Sequence, residues 1–355
     1  MTPGGTRSLG GTTVRVSRLG LGSAPLGDLF THVGDDGAHA VLDAALDAGM
    51  TLIDTAPYYG VGLSEQRIGR FVRSVERKRV VLATKVGRVL HPARPGRARR
   101  EPGWVGGLDF AYRFDYGYDG VLQSYEGSLQ RLDVERVEML AIHDLDSKHW
   151  TVEEFEARLH ELERGGVRAL EELRTSRAVE AVGLGINTLG SIPRVLEVID
   201  LDYAIVAMPY TLLDQDALDA ELSLCLERNV SVIVGAVFAS GVLAVDEGSG
   251  PYGYAAAPRE IVDRVGRMRA VCERNGASLA AAALQFPLAH PAVAAVIPGA
   301  ISAEQVRQNV ARLAAHIPDA VWEELKAEGL LHPDAPVPSE AAPVGADTST
   351  QAGSS

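Results

Sequence analysis

Short apolar runs alternate along this chain with segments whose apolar residues recur every three or four positions, and the two patterns predict strands and helices in regular alternation. Strands are expected at 19–22, 51–53, 80–84, 138–142, 180–186, 203–207, 230–235 and 293–297. Helical spacing follows each of them, at 35–48, 64–73, 119–132, 166–176, 190–199, 215–228, 258–275 and 302–313. In the first helix Ala40, Val41, Ala44, Ala45 and Ala48 share a face, and Gly49 supplies the stop. Successive parallel strands need crossover helices, and eight such units close into a barrel, so the expected fold is α/β, a TIM-type (β/α)8 barrel. Ahead of the first unit, residues 6–18 alternate around Gly10-Gly11 and predict an N-terminal β-hairpin, placed as a lid over the bottom of the barrel.

Three segments exceed the short connections that most βα units use. Residues 86–118 hold Trp104, Phe110, Tyr112, Phe114, Tyr116 and Tyr118 among several arginines. They are expected either to cover an active site and stack on a substrate or to form a surface excursion with its own small cluster. Residues 236–257 follow the seventh strand with Phe238, Gly241, Gly248, Gly250, Tyr252, Gly253 and Tyr254, a composition suited to folding over a cofactor. Residues 333–355, rich in Pro, Ala, Ser and Thr, carry little apolar surface and are expected to be a flexible tail, which leaves 1–332 as one barrel domain.

The strands end on ionisable groups. The second finishes on Asp54 and runs into Tyr58 and Tyr59, the third finishes on Lys85, and the fourth on His143. One such residue is commonly a local salt-bridge partner, but several at successive strand ends share the carboxyl-end mouth where barrel enzymes place their chemistry. A phenol with its pKa lowered by Lys85 would transfer a proton, Asp54 would hold Lys85, and His143 would give a second hydrogen bond to the substrate oxygen. That set suits carbonyl–alcohol interconversion, in which the hydride requires a nicotinamide. His143, Asp144 and Asp146 lack metal-ligand spacing, so no metal is expected and the two aspartates are assigned to fixing the loop. Gly20-Leu-Gly22 and Gly183-Leu-Gly185 lack the third glycine of a dinucleotide fingerprint.

Composition narrows the partners. The 355 residues carry 47 acidic and 34 basic side chains, a net charge of −13 that disfavours nucleic acid or an anionic membrane. MTPGGTRSLGG has no apolar signal core, and a cytoplasmic location is expected. Cys225 and Cys272 are expected to be reduced and structural. The strand-end set calls for a small-molecule carbonyl or alcohol partner, and nothing in the pattern speaks to oligomeric state.

Asp54-Thr-Ala-Pro-Tyr-Tyr59-Gly60, the strand-terminal Lys85 and Ile142-His143-Asp144 resemble the aldo-keto reductase family with its Asp, Tyr, Lys and His tetrad. The resemblance spans residues 6–330 and implies NAD(P)(H) bound in extended form across the carboxyl end of the barrel. It also implies that Asn187, in Gly183-Leu-Gly-Ile-Asn187, holds the carboxamide. Ile297-Pro-Gly-Ala, with Gly299, Gln305 and Asn309, then faces the adenosine. Gly22, Ser23, Phe238 and Ser240 complete the implied cofactor set, and Ala24, Pro25, Tyr58 and Trp104 the substrate set. Five stretches, among them Ser23-Ala-Pro-Leu-Gly27, His143-Asp-Leu-Asp146 and Phe238-Ala-Ser-Gly-Val-Leu243, resemble the aldose 1-dehydrogenases and pyridoxal 4-dehydrogenases of the family. Ile186, Ala207 and Gly235 depart from the common Ser, Gln and Tyr around the nicotinamide. Gly299 and Gln305 stand where NADPH-dependent relatives place cations, which favours NAD, with NADP possible through Arg307. The implied reaction is oxidation of an aldose at C1 to the lactone, with Tyr59 as general base, and the resemblance narrows the partner to a small sugar or aldehyde substrate. The alternatives are NADPH-dependent aldehyde or ketone reduction, pyridoxal 4-dehydrogenation, and a nucleotide-sensing regulatory subunit.

Overall fold

The structure is a computed structural model and describes residues 5–93, 103–245, 250–253 and 255–339. Eight parallel strands, Leu21–Gly22, Leu52–Asp54, Val81–Val86, Met139–His143, Ala181–Ile186, Tyr203–Ala207, Ser231–Gly235 and Val293–Ile297, are hydrogen-bonded in sequence order. Parallel bridges from Leu19 to Val296 and from Gly22 to Gly299 join the first strand to the last and close the barrel. Closure depends on close backbone approach, because a Cβ at Gly22 would lie 2.7 Å from the Ile297 carbonyl oxygen. Arg18 spans the same seam, donating to the carbonyls of Val293, Ala294 and Leu288 at 2.6, 3.0 and 2.7 Å.

The strands read as nearly unbroken apolar runs because both of their faces are buried. Their outward side chains pack under the helices in one large core, and the inward ones fill the barrel. The hairpin Thr6–Ser8 with Arg15–Ser17 puts Leu9, Val14 and Val16 into that interior against Leu52, Met139, Ala181, Tyr203 and Ile233. It seals the amino end of the barrel, as its alternation predicts.

The structure adds helices to those expected. Val152–Glu161 begins on a Thr151–Glu154 capping box and runs through a π-turn at Leu162–Gly166 into Val167–Thr175, so the helix expected at 166–176 is only the second half of a longer one. Its first half carries Val152, Phe155 and Leu159 at helical spacing, a stripe present in the sequence but outside the eight expected units; Leu159 is buried and Phe155 packs partly buried against the core. Leu279–Gln285 is buried on every side and so shows no period, and Asp319–Ala327 packs beyond the last unit. The helices expected at 190–199 and 215–228 shorten to Ser191–Val195 and Glu221–Glu227. The boundary of the expected tail also moves. Lys326 Nζ donates to the carbonyls of Pro333 and Ala335, both at 2.8 Å, and Ala335 is buried, so the chain is packed through this turn. The rest of that stretch from 340 on, like Gly248 and Tyr254, lies outside the described residues. Both cysteines are buried and free, and no helix among the described residues is long and apolar enough to cross a membrane.

Candidate active site

Register explains why the strand-end residues meet. Asp54 pairs with Ala83, so Lys85 stands two residues farther toward the carboxyl end and its side chain reaches back. Lys85 Nζ lies 2.8 Å from each Asp54 carboxylate oxygen, 2.7 Å from the Thr55 carbonyl and 3.3 Å from the Tyr59 hydroxyl. Tyr59 is delivered by the turn after the second strand, where Gly60, at φ +62°, packs on Gly27. A Cβ there would sit 2.4 Å from the Gly27 carbonyl oxygen. Burial raises the Asp54 carboxyl pKa against the pull of Lys85. Burial, then the charges of Asp54 and Asp144, pushes the Tyr59 phenol well above its ordinary 10. The expectation that Lys85 lowers this phenol is therefore corrected: burial and the carboxylates of Asp54 and Asp144 outweigh the neighbouring ammonium.

A second charged group faces the first. His143 ends the fourth strand, and Arg88, two residues into the predicted cover segment, reaches it. Arg88 Nη1 lies 2.6 Å from Asp144 Oδ2 and 3.2 Å from His143 Nδ1. The 86–118 segment forms an antiparallel hairpin, Arg88–Pro92 with Phe110–Phe114. Phe114 and Tyr112 of the hairpin and Tyr58 of the turn after the second strand surround the guanidinium, whose carbon lies 4.4 Å from the centroids of Tyr58 and Phe114 and 5.4 Å from that of Tyr112. Burial pushes the His143 imidazole well below its ordinary value. Burial alone would raise Asp144, but His143, Arg88 and His149 hold it far below the usual carboxylate range.

Asp144, Asp146 and His149 bring potential metal-ligating atoms within 4.8 Å of one another. Protein donors already use these carboxylates: Asp144 takes Arg88 and the Asn187 amide, and Asp146 takes His149 and the backbone N–H of Lys148 and Asn187. The cluster fixes the loop that carries His143.

Between the two charged groups lies a cavity of about 310 Å³. Of the residues singled out from the sequence, Ala24, Tyr58, Tyr59, Lys85, Trp104, His143 and Asn187 line it. Trp104 lies parallel to Tyr59 at 6.2 Å and edge-on to Tyr58 at 5.3 Å, and it bridges to Leu29 of the loop after the first strand. Of the described part of the long segment, Gly103 and Trp104 line this cavity. Pro25 and the remaining cofactor candidates lie outside this lining. Gly22 is used in barrel closure, and Ser23 is fully buried, its hydroxyl accepting from Ser64 at 2.8 Å. Phe238, Ser240, Gly299, Gln305 and Asn309 group toward the first, seventh and eighth strands. The Arg312 guanidinium lies 5.3 Å from the Phe238 ring and donates to Asn309 at 3.0 Å.

The chain matches the aldo/keto reductase family over residues 18–328. It belongs to the aldo/keto reductase family. It is 40% identical over 335 residues to a pyridoxal 4-dehydrogenase from Microbacterium luteolum, covering 92% of this chain and 97% of that one. It is 37% identical over 329 residues to a D-threo-aldose 1-dehydrogenase from a Pseudomonas species, covering 90% and 95%. An aldo-keto reductase from Bacillus halodurans, solved in its holo form, superposes with a TM-score of 0.69 at 26% identity, over 94% of this chain and 98% of that one.

This aldo/keto reductase is an NAD(P)-dependent oxidoreductase. Gly185 leaves open the space where a Cβ would stand 3.6 Å from Lys85 Cε and 3.8 Å from His143 Cδ2, and Ala207 extends the same small-residue floor. Asn187 stands at the edge, its side chain held by Asp144 at 3.0 Å and Lys148 at 3.3 Å. Backbone strain collects at this face: Met208, Ala236, Ala239 and Ser240 all have positive φ at the ends of the sixth and seventh strands. The residue missed in the sequence is Arg88. An arginine embedded in the run Arg88-Val-Leu directly after a strand-ending Lys-Val-Gly was its available signal.

Proposed function

We propose that this enzyme oxidises the cyclic hemiacetal of an aldose at C1 to the lactone, with NAD as hydride acceptor and Tyr59 as proton acceptor. The observation that carries the reading is the Lys85 ammonium, held by both Asp54 oxygens and 3.3 Å from the Tyr59 hydroxyl on the wall of an aromatic cavity. A nicotinamide dinucleotide, when bound, supplies the hydride acceptor, and Asn187, Phe238, Gln305 and Asn309 would hold it. Tyr59 takes the proton of the C1 hydroxyl as that carbon becomes a carbonyl, and His143 donates a hydrogen bond to the same oxygen. Asp54 and Lys85 fix the phenol's position, while Trp104 and Tyr58 offer ring faces to the sugar. The names of the two relatives favour this direction. Pyridoxal carries a hydroxymethyl group next to its aldehyde and closes to a cyclic hemiacetal, so both named substrates present the same functional group.

A second reading, aldehyde reduction, is favoured by the raised pKa of Tyr59, which keeps the phenol protonated and ready to donate. One experiment separates the two. NADH and NADPH absorbance is followed with a panel of aldoses, with pyridoxal and with open-chain aldehydes. The first reading expects the largest kcat/KM for hemiacetal oxidation, rising about tenfold per pH unit below the phenol pKa because only the deprotonated form accepts a proton. Faster aldehyde reduction than any oxidation selects the second, and no turnover with any compound defeats both.

A further inference from the structure

Among the buried charges at the site, Arg88 is the one that the Asp, Tyr, Lys and His set leaves unexplained. Its backbone is fixed by a hydrogen bond from Ser124 Oγ at 3.0 Å, and its stem turns inward after Gly87, where φ is +105° and a Cβ would strike the Tyr116 ring at 2.4 Å. The side chain is 2% exposed, and its Nε has no hydrogen-bond partner among the described residues. The terminal Nη1 has two N–H bonds and two neighbours, Asp144 Oδ2 at 2.6 Å and His143 Nδ1 at 3.2 Å.

A guanidinium donates and never accepts, so the imidazole nitrogen it meets must offer a lone pair. The single proton of a neutral ring then resides on Nε2. Asp144 Oδ2 lies 3.5 Å from Nε2, too far for a good hydrogen bond and already engaged by Arg88, but its charge favours the proton at that same end. The groups facing His143 are the cations Lys85 and Arg88, the carboxylate of Asp144, the imidazole of His149, and the phenols of Tyr58 and Tyr59. Burial is the main opposition to a second proton on the ring; the Asp144 carboxylate favours one, and Arg88 and Lys85 add to the opposition.

We propose that Arg88 is a positioning residue that locks His143 as the neutral Nε2–H tautomer, so that the ring always presents a donor to the substrate oxygen. The inference rests on the role proposed above for His143 as that donor. A purely structural Arg88–Asp144 pair would tie the hairpin to the His143 loop without setting the tautomer.

The test is long-range ¹H–¹⁵N correlation NMR of the imidazole side chains in the full-length protein without substrate, with the His143 signals assigned by loss in His143→Gln. The wild type is expected to show the neutral Nε2–H pattern from about pH 5.5 to about pH 8.5, a range in which a free imidazole would titrate. In Arg88→Met, whose apolar stem keeps the ring sandwich filled, the ring is expected to titrate within that range or to populate the Nδ1–H form. Arg88→Lys is expected to restore the wild-type pattern in part. Turnover in Arg88→Met should fall about 10–100-fold, the range seen when a partner that orients a metal-bound histidine is removed, with dinucleotide Kd unchanged. An Nδ1–H tautomer or an imidazolium in the wild type at neutral pH overturns the inference, and that spectrum decides even if the variants fail to fold. An unchanged Nε2–H pattern in a folded Arg88→Met also overturns it. Because the spectrum needs no substrate, failure of the hemiacetal panel counts against the proposed function and leaves this result standing.

Discussion

The two ends of the barrel are built to opposite rules. At the amino end, Leu9, Val14 and Val16 of the hairpin meet Leu52, Met139 and Ile233 in an apolar plug. At the carboxyl end, Asp54, Lys85, Arg88, His143 and Asp144 are all buried, and each is paired. Taking even a paired charge out of water costs several kcal/mol, which the pairing can fail to return, so the carboxyl end is arranged for purposes other than stability, whereas each methylene at the amino end contributes directly to it. The comparison assigns stability to one end and chemistry to the other, and mutations at each end separate the two.

The largest effect is expected at Tyr59. Tyr59→Phe keeps the ring against Trp104 but removes the transferable proton, so turnover should fall roughly 10²–10⁴-fold while thermal stability and dinucleotide affinity stay near wild type. Near-native turnover at saturating substrate would remove Tyr59 from the chemistry. The complementary change is Leu9→Ala, which opens a cavity in the plug. It should cost about 2–5 kcal/mol in denaturant unfolding, with kcat per folded molecule unchanged. A matching loss of kcat would show that the two ends are coupled.

A smaller effect is expected at the rim. Trp104→Ala removes the ring that stacks on Tyr59, and KM for the preferred substrate should rise about tenfold, the equivalent of one lost aromatic contact, with NAD affinity unchanged. Parallel loss of both would mean that the cover has collapsed. The smallest effect concerns cofactor choice. Wild type is expected to bind NAD more tightly than NADP, and fluorescence titration at fixed ionic strength measures both. Position 299 is closed to a lysine, because a Cβ there would lie 2.8 Å from Pro25 Cγ. Gln305→Arg supplies a cation but gives up the bond by which Gln305 accepts from the Ile301 N–H at 2.9 Å. Its gain for NADP should therefore be a few-fold, below the roughly tenfold of a clean charge-assisted contact. Tighter NADP binding by the wild type would point to a cation already in reach. Arg307 is held by Glu304 at 3.0 Å, which makes Arg312, beside Phe238 and Asn309, the first to test.

The barrel itself was legible because its strands bury both faces and read as apolar runs, and because those runs stop on charges. Asp54, Lys85 and His143 could be named from that contrast alone. Leu279–Gln285 was not legible, because it is wholly enclosed and presents no single apolar face to the period. Val152–Glu161 is different: Val152, Phe155 and Leu159 share one face, so this helix was legible in principle inside what reads as a long connection. The cofactor candidates Gly22 and Ser23 were legible as a motif, but the motif does not say that closing the seam and the Ser64 hydrogen bond already use them.

What the sequence by itself determined is the alternation of strand and helix, and with it the side of the barrel on which ionisable side chains collect, because strand ends and periodicity are local properties. Only the tertiary structure decided which charges face one another. Arg88 lies 55 residues from His143 and inside a segment that reads as a loop, yet folding the hairpin under Tyr58 brings its guanidinium to the imidazole. The same enclosure reversed the expected shift of Tyr59. A neighbouring ammonium can be read from the sequence, but desolvation and the balancing carboxylate act through space and exist only once the barrel has closed.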